Sequence, residues 1–391
     1  MNKWKHMRLG DVISTNIASY SNKEGWSYVN YLDTGNITEN SITNIQLIDL
    51  NAEKLPSRAK RKVKYNSIVY STVRPNQRHF GIIKKLPENF LVSTGFVVID
   101  VCQEKIDADF LYFWLSQENI VELLHTIAEQ SVSTYPSIKA SDIGNLEIDL
   151  PPIEEQKKIA SVLLRLMEKM ELNMTINDNL QQQVFALFDQ LMLESGDSKC
   201  LVSDVAYLNP KRQLSKNQVA RCIDMSQLST SGAFPSGWDM KPFNGGMRFI
   251  NGDTLLARIT PCLENGKTAY IDFLDKKEVA FGSTEYIVLA PREGVPPEYL
   301  YCLARYPAFV DYAVKNMNGS SGRQRVSADT IGKFVMNHPS EDALRNFGDI
   351  ATALFMKMRY NSFENLRLVS LRDAILPRLM SGELDVSGLD L

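Results

Sequence analysis

The sequence predicts an α+β chain with two repeated mixed-strand domains joined by two long antiparallel coiled-coil helices in a pseudo-twofold arrangement. Three observations carry this expectation. The 391 residues exceed what one ordinary hydrophobic core accommodates. Segments of the first half recur, in order, in the second. Each half ends in a long run of apolar residues at heptad spacing.

The repetition is the most informative feature. LGDVIS (Leu9 to Ser14) is echoed by VSDVAY (Val202 to Tyr207), and VSTGFVVID (Val92 to Asp100) by FGSTEYIVL (Phe281 to Leu289). DADFLYFWL (Asp107 to Leu115) corresponds to PPEYLYCLA (Pro296 to Ala304), and Ser131 to Pro152 corresponds to Gly319 to Pro339. Asn177 to Gly196 corresponds to Phe363 to Leu384, so equivalent positions lie about 186 to 193 residues apart. Chance explains one match but not an ordered series.

Within each half, short strands come first. Val63 to Tyr70, Phe96 to Val101, Arg248 to Ala257 and Glu285 to Leu289 combine β-branched and aromatic residues between Gly, Asn and Pro turns. Helical spacing follows over Asp109 to Ala128 and Pro297 to Val314, each ahead of a Ser/Gly-rich loop and one more strand. The first long helix opens at LPPIEEQ, where proline tolerates a missing donor and Glu154 and Glu155 favour the positive end of the helix dipole. The second opens at HPSEDAL, with Ser340 as N-cap, and Pro377 is expected to kink it near its end. The expected boundaries are 1–150 and 196–338 for the domains, and 151–195 and 339–391 for the helices.

Leu163, Leu166, Met170, Asn173, Asn177, Leu180, Val184, Leu187 and Leu191 alternate spacings of three and four, which is a coiled-coil face. Phe347, Ala351, Leu354, Met358, Asn361, Asn365 and Leu368 follow the same rule. Asparagines at seam positions weaken packing but set register against a similarly polar partner. Each stripe supplies such a partner for the other. Stripe spacing alone does not choose between this pairing, two separate core helices, and a helix broken at the asparagines.

Composition excludes several classes. The content, 44% hydrophobic and 23% charged, is that of a soluble globular protein, and no run of about 18 uncharged apolar residues spans a membrane. The basic start MNKWKHMRLGDV meets Asp11 before any signal-like apolar stretch, so a cytoplasmic location is expected. Cys102, Cys200, Cys222, Cys262 and Cys302 form no CxxC pair, which argues against zinc and disulfides and for apolar packing.

Catalytic motifs fail on inspection. An amino-group methyltransferase needs an Asn/Asp-Pro-Pro-aromatic loop, and Asn209-Pro210-Lys211-Arg212 lacks the second proline and the aromatic. Gly266-Lys267-Thr268 ends like a phosphate-binding loop, but Pro261 stands where the first glycine is required. The four histidines, His6, His79, His125 and His338, sit in no metal or triad context. The net charge of −3 hides one cationic stretch: Lys54, Arg58, Lys60, Arg61, Lys62, Lys64, Arg74, Arg78, Lys84 and Lys85 follow one another with no intervening carboxylate. Phosphate contact is expected there, against the plainer reading of a lysine-guarded strand edge.

LPPIEEQKKIASVL, the terminal LRDAILPRLMSGEL and the order domain, helix, domain, helix resemble the specificity subunit of Type I restriction-modification systems, over the whole chain. The resemblance implies a non-catalytic DNA-binding subunit whose two target-recognition domains each read one half of a split double-stranded site. It implies two modification subunits, which carry S-adenosylmethionine, and restriction subunits, which carry ATP-driven translocation and cleavage; no cofactor is expected on this chain. One departure is that HPSEDALRNFGDI lacks the Pro-Pro and Glu-Gln of the first helix entrance, so the two entrances need not offer identical surfaces. Alternatives of other classes are a repeat adaptor that binds protein and a self-sufficient methyltransferase.

Arg and Lys suit guanine O6/N7, and Asn and Gln suit adenine N6/N7. The expected DNA-contacting residues of the first half are Lys60, Arg61 and Lys62 for phosphate, with Arg74, Asn76, Gln77, Arg78, His79, Ser131, Ser133, Thr134 and Tyr135 in loops. Those of the second half are Arg258, Thr260, Asn265, Lys267, Ser320, Ser321, Arg323, Gln324 and Arg325. The sets differ, as different half-sites require. Ser93-Thr94 and Ser283-Thr284 recur in both halves, which suits a shared scaffold or a phosphate contact better than a base.

Overall fold

A computed structural model describes residues 4–131, 136–196, 198–320 and 322–389. The chain divides into two compact units, Met1–Met167 with Leu371–Leu391, and Glu168–Ser370. Among the described residues no helix is long and apolar enough to cross a membrane.

In the first unit Lys5–Arg8 pairs antiparallel with Glu147–Leu150, so the beginning of the domain is tied to its end. One four-stranded sheet runs in the order Ile13–Thr15, Phe96–Val101, Ile68–Ser71, Phe80–Ile82. A second runs Gln46–Asp49, Tyr28–Leu32, Phe90–Ser93, Ala59–Lys62, with Tyr28–Leu32 and Phe90–Ser93 parallel. The second unit repeats this plan. Lys199–Leu201 pairs with Val335–Asn337, and the sheets run Ala206–Leu208, Tyr286–Pro291, Thr254–Ala257, Thr268–Tyr270 and Asp239–Pro242, Val219–Ile223, Ala280–Gly282, Met247–Phe249. Here too the parallel pair lies in the middle of the second sheet, between Val219–Ile223 and Ala280–Gly282. The sequence repeat is therefore a repeat of topology.

The helices in chain order are α1 (Ala108–Ser116), α2 (Glu118–Glu129), α3 (Ala140–Gly144), α4 (Ile153–Glu194), α5 (Val202–Val205), α6 (Pro297–Arg305), α7 (Pro307–Lys315), α8 (Ala328–Gly332) and α9 (Glu341–Met380). Two expected elements break in two for local reasons. Asn66 at φ 67° and Gly252 at φ 90° interrupt the runs read as single strands, because left-handed backbone cannot continue a strand. Pro307 holds Tyr306 at ψ 128° and separates α6 from α7. Gln117, at ψ 141°, makes the same break between α1 and α2 without a proline.

Each core takes in the beginning of one long helix and the end of the other. Ile159, Ala160 and Leu163 of α4 share the first unit's core with Leu376, Leu379 and Met380 of α9. Val184, Phe188 and Leu191 share the second unit's core with Phe347, Ala351 and Phe355. At the entrances, the Glu155 and Gln156 amides donate to Pro152 O, and the Ala343 amide donates to Ser340 Oγ (3.3 Å) as expected of an N-cap. α9 runs through Pro377 to Met380.

Within the second unit the two asparagine clusters meet, and ascending α4 against descending α9 makes the pairing antiparallel. Asn173 Nδ2 donates to Glu364 Oε2 (2.7 Å) and Asn365 Oδ1 (2.8 Å). Asn177 Nδ2 donates to Met358 O and Ser362 Oγ, and Asn361 Nδ2 donates to Asn177 Oδ1 (2.8 Å). Asn365 Nδ2 donates to Met170 O. Among the described residues the Oδ1 atoms of Asn173 and Asn361 have no partner, so the network specifies register at some cost in stability. Asn177→Ala leaves the buried Asn361 amide without its acceptor. It is expected to destabilise the chain by about 1–3 kcal/mol in denaturant unfolding.

The mismatch between the two helix entrances has a structural reason. Gln156, fully buried, accepts from the Asp107 amide (2.9 Å) and donates to Lys105 O and Pro151 O. The residue equivalent to Asp107 is Pro296, which has no amide hydrogen to satisfy. No glutamine is needed opposite it, and Ala343 stands there.

Candidate nucleic-acid interface

In the first unit Pro75–Gln77 forms a tight turn flanked by Arg74 (φ 49°) and Arg78 (φ 57°). The Arg74 amide donates to Pro136 O (3.2 Å) and the Ile138 amide to Thr72 O (2.8 Å), which joins this turn to the loop that follows α2. Arg74, Asn76 and Gln77 are exposed, whereas Ser131 is half-buried and accepts from the Ser137 amide. Ser133, Thr134 and Tyr135 lie outside the described residues. His79 is half-buried, with Nδ1 2.7 Å from Ile37 O and 3.2 Å from Thr38 Oγ1.

The second unit builds the same junction. The Val326 amide donates to Arg258 O (3.0 Å) and the Thr260 amide to Gln324 O (3.0 Å), so the loop after Thr254–Ala257 joins the loop after α7. Asn265, Ser320 and Arg323 are exposed, and Arg258, Thr260, Lys267, Gln324 and Arg325 are half-buried. Thr260 Oγ1 donates to Glu264 (2.8 Å) and Lys267 Nζ to Met225 O (2.8 Å). Ser321 lies outside the described residues. In both units the structure thus brings together two loops that are far apart in sequence.

The basic triplet is placed elsewhere. Lys60, Arg61 and Lys62 lie in Ala59–Lys62, the last strand of the other sheet, whose outer side is partly covered where the Tyr20 amide donates to Lys60 O and the Lys62 amide to Ala18 O. Lys60 is exposed and, among the described residues, without a carboxylate partner. Burial holds the half-buried Arg61 guanidinium below its ordinary pKa. Lys62 pairs with Glu24 and lies over the Trp26 ring. Elsewhere in the cationic stretch Lys64 pairs with Asp100 and Lys84 with Asp109.

Two of the loop arginines are engaged by the chain's own carboxylates. Arg78 Nη1 donates to Glu39 Oε1 (2.8 Å) and Ser116 O (3.1 Å), and Nη2 donates to Glu118. Burial works against the Arg78 charge, but Glu118 and Glu39 outweigh it and hold its pKa above the ordinary value. Arg325 faces Glu285 with its fork, Nε at 2.9 Å and Nη2 at 2.7 Å, and holds that carboxyl below its ordinary range.

The recurring residues that are not in the loops support the scaffold. Ser93 Oγ accepts from the Gly95 amide and Ser283 Oγ from the Glu285 amide. Asn16 and Asn209, at φ 55° and 50°, each exchange two hydrogen bonds with a strand, through Val98 and Val288 respectively. Their separation of 193 residues falls within the repeat offset, which is the signal by which sequence alone can find them. Asn209 is thus a backbone-shaping residue. The Gly266 and Lys267 amides donate to Leu263 O and Cys262 O within their own turn, so neither is aimed at a phosphate. Among the described residues no cluster of His, Cys, Asp and Glu is arranged to hold a metal. Cys200, Cys222 and Cys302 are buried packing residues, Cys262 is half-buried, and Cys102 is exposed.

Comparison with known proteins finds relatives of this chain. The family model described as "Type I restriction modification DNA specificity domain" matches residues 1–182. The HindI Type I restriction enzyme specificity subunit of Haemophilus influenzae is 24% identical, over 98% of this chain and 100% of its own. The MjaIX specificity subunit of Methanocaldococcus jannaschii is 21% identical, over 97% of this chain and 93% of its own. The crystal structure of the Type I restriction-modification S subunit from M. genitalium, 18% identical, shares the fold with a TM-score of 0.54 over 97% of this chain and 96% of that one. Residues 1–182 are thus similar to that DNA specificity domain, and nearly the whole chain is similar to specificity subunits of Type I restriction enzymes.

Proposed function

We propose that the chain reads a split double-stranded DNA site, one half-site per repeat, and docks two modification subunits and the restriction subunits of its complex. The observation that carries this reading is the loop junction built twice. The backbone hydrogen bonds are equivalent in the two units, while the side chains they display differ, which is what two different half-sites require. In this reading residues 1–150 and 196–338 are the target-recognition domains, and 151–195 and 339–391 are the spacer helices. Base contacts come from the joined loops, with the exposed Arg74, Asn76, Gln77, Asn265, Ser320 and Arg323 foremost. Methylome sequencing with and without the gene tests the whole proposal. Loss of one split methylated motif is the expected result, and an unchanged methylome points instead to an adaptor that binds protein.

Lys60, Arg61 and Lys62 are assigned to phosphate. Their replacement by alanine is expected to weaken binding to every duplex and to shrink the slope of log K against log salt by about 0.9 for each phosphate that is no longer neutralised. Lys62 contributes least, because Glu24 already neutralises it. Binding titrations across salt measure the slope, and an unchanged slope in the triple variant assigns the strand to a merely solvated edge.

A further inference from the structure

We infer that Arg78 and Arg325 are positioning residues, one in each repeat, which hold the reading loops from within and leave base contact to the exposed arginines beside them, Arg74 and Arg323. The inference rests on the DNA-reading function proposed above and divides its residues into two roles.

A guanidinium reads guanine through a fork of two parallel N–H donors. In Arg325 that fork is already occupied, by both oxygens of Glu285, and Nη1 donates to Arg323 O (3.0 Å). To reach a base, Arg325 has to leave a carboxylate unpaired beside the DNA, where phosphate repels it. Glu285 is itself seated on the scaffold, since its amide is held by Ser283 Oγ and its carbonyl accepts the Arg258 amide. Arg325 also exchanges two backbone hydrogen bonds with Asn318, each 2.9 Å, so its side chain anchors the base of the loop that displays Ser320 and Arg323.

Arg78 does the same work with different partners. Its guanidinium joins Glu39 at a hairpin tip, Ser116 O at the end of α1 and Glu118 at the start of α2. The turn it closes displays Arg74, Asn76 and Gln77. Arg74 and Arg323 are exposed and, among the described residues, have no carboxylate partner. The clamps arise from non-equivalent positions, so each repeat has met the same requirement separately.

The test is selection of a randomised duplex pool by the full-length chain in complex with its modification subunits, followed by sequencing of the bound DNA. Wild type is expected to select a split motif; failure to select any motif defeats the DNA-reading proposal itself and with it this inference. Arg323→Ala is expected to relax discrimination at one or two adjacent base pairs by about 5- to 150-fold. Arg325→Gln is expected to weaken discrimination several-fold across the whole second half-site, with the preferred bases and the first half-site unchanged. The charge swap Glu285→Arg with Arg325→Glu is expected to restore it. Arg78→Gln is expected to act in the same even manner on the first half-site. The inference is overturned if Arg325→Gln relaxes a single base pair and the swap, folded by its melting temperature, does not restore it. Should the swap not fold, Glu285→Gln decides: an even loss over the second half-site supports a clamp, and a change of preference at one base pair identifies Arg325 as a reader.

Discussion

Exchanging residues 1–150 for the corresponding segment of a relative is expected to replace one half of the methylated motif completely and leave the other half as it was. Both sheets of the first unit and both of its joined loops lie within that segment, and the second unit builds its own set from separate residues. The exchange point falls just before α4, so the incoming segment has to satisfy what α4 presents to it. Gln156 needs an amide donor at the position of Asp107 and a carbonyl at that of Lys105, while Ile159, Ala160 and Leu163 need an apolar wall. A donor segment with these features should fold and read. Methylome sequencing of a strain that carries the hybrid measures the result, and a change in both halves defeats the proposal of two independent readers.

A second large effect is expected in the unread gap between the half-sites. α4 has 42 residues and is therefore about 63 Å long at 1.5 Å per residue, enough to span successive major grooves about 34 Å apart. Four residues inserted after Met174 lengthen it by about 6 Å, slightly under two base-pair steps, and rotate the C-terminal part of the helix by about 40°. That point separates Asn173 from Asn177, so an insertion in α4 alone allows only one of them to keep its partners in α9. A companion insertion of four residues after Phe363 restores both, because Asn361 and Ser362 precede it while Glu364 and Asn365 lie beyond it. The paired insertion is expected to remain active, to preserve both half-site sequences and to lengthen the gap by one or two base pairs. The methylated motif of the active variant decides, and an unchanged gap or an altered half-site shows that these helices do not measure the DNA.

The duplication, the entrances of α4 and α9, and the two asparagine-bearing stripes were legible in residue order, whereas the fold decided that the two asparagine clusters meet. The legible features rest on local periodicity and on capping, which act over a few residues and are written directly along the chain. The two loops of each half were legible too, since glycine, serine and polar side chains punctuate the chain there. Where the strands break was settled only by the fold, because Asn66 and Gly252 take left-handed backbone to suit the sheets they connect. The fold also settled that the beginning of one long helix and the end of the other share a core, as Leu163 does with Leu376. Above all, it distinguished the arginines. Arg74 and Arg78 look alike in sequence, as do Arg323 and Arg325, and the carboxylates that engage one of each pair come from Glu39, Glu118 and Glu285, about 40 residues away. Charge pairing depends on distance in space, which falls off within a few ångströms and leaves no periodic trace along the chain.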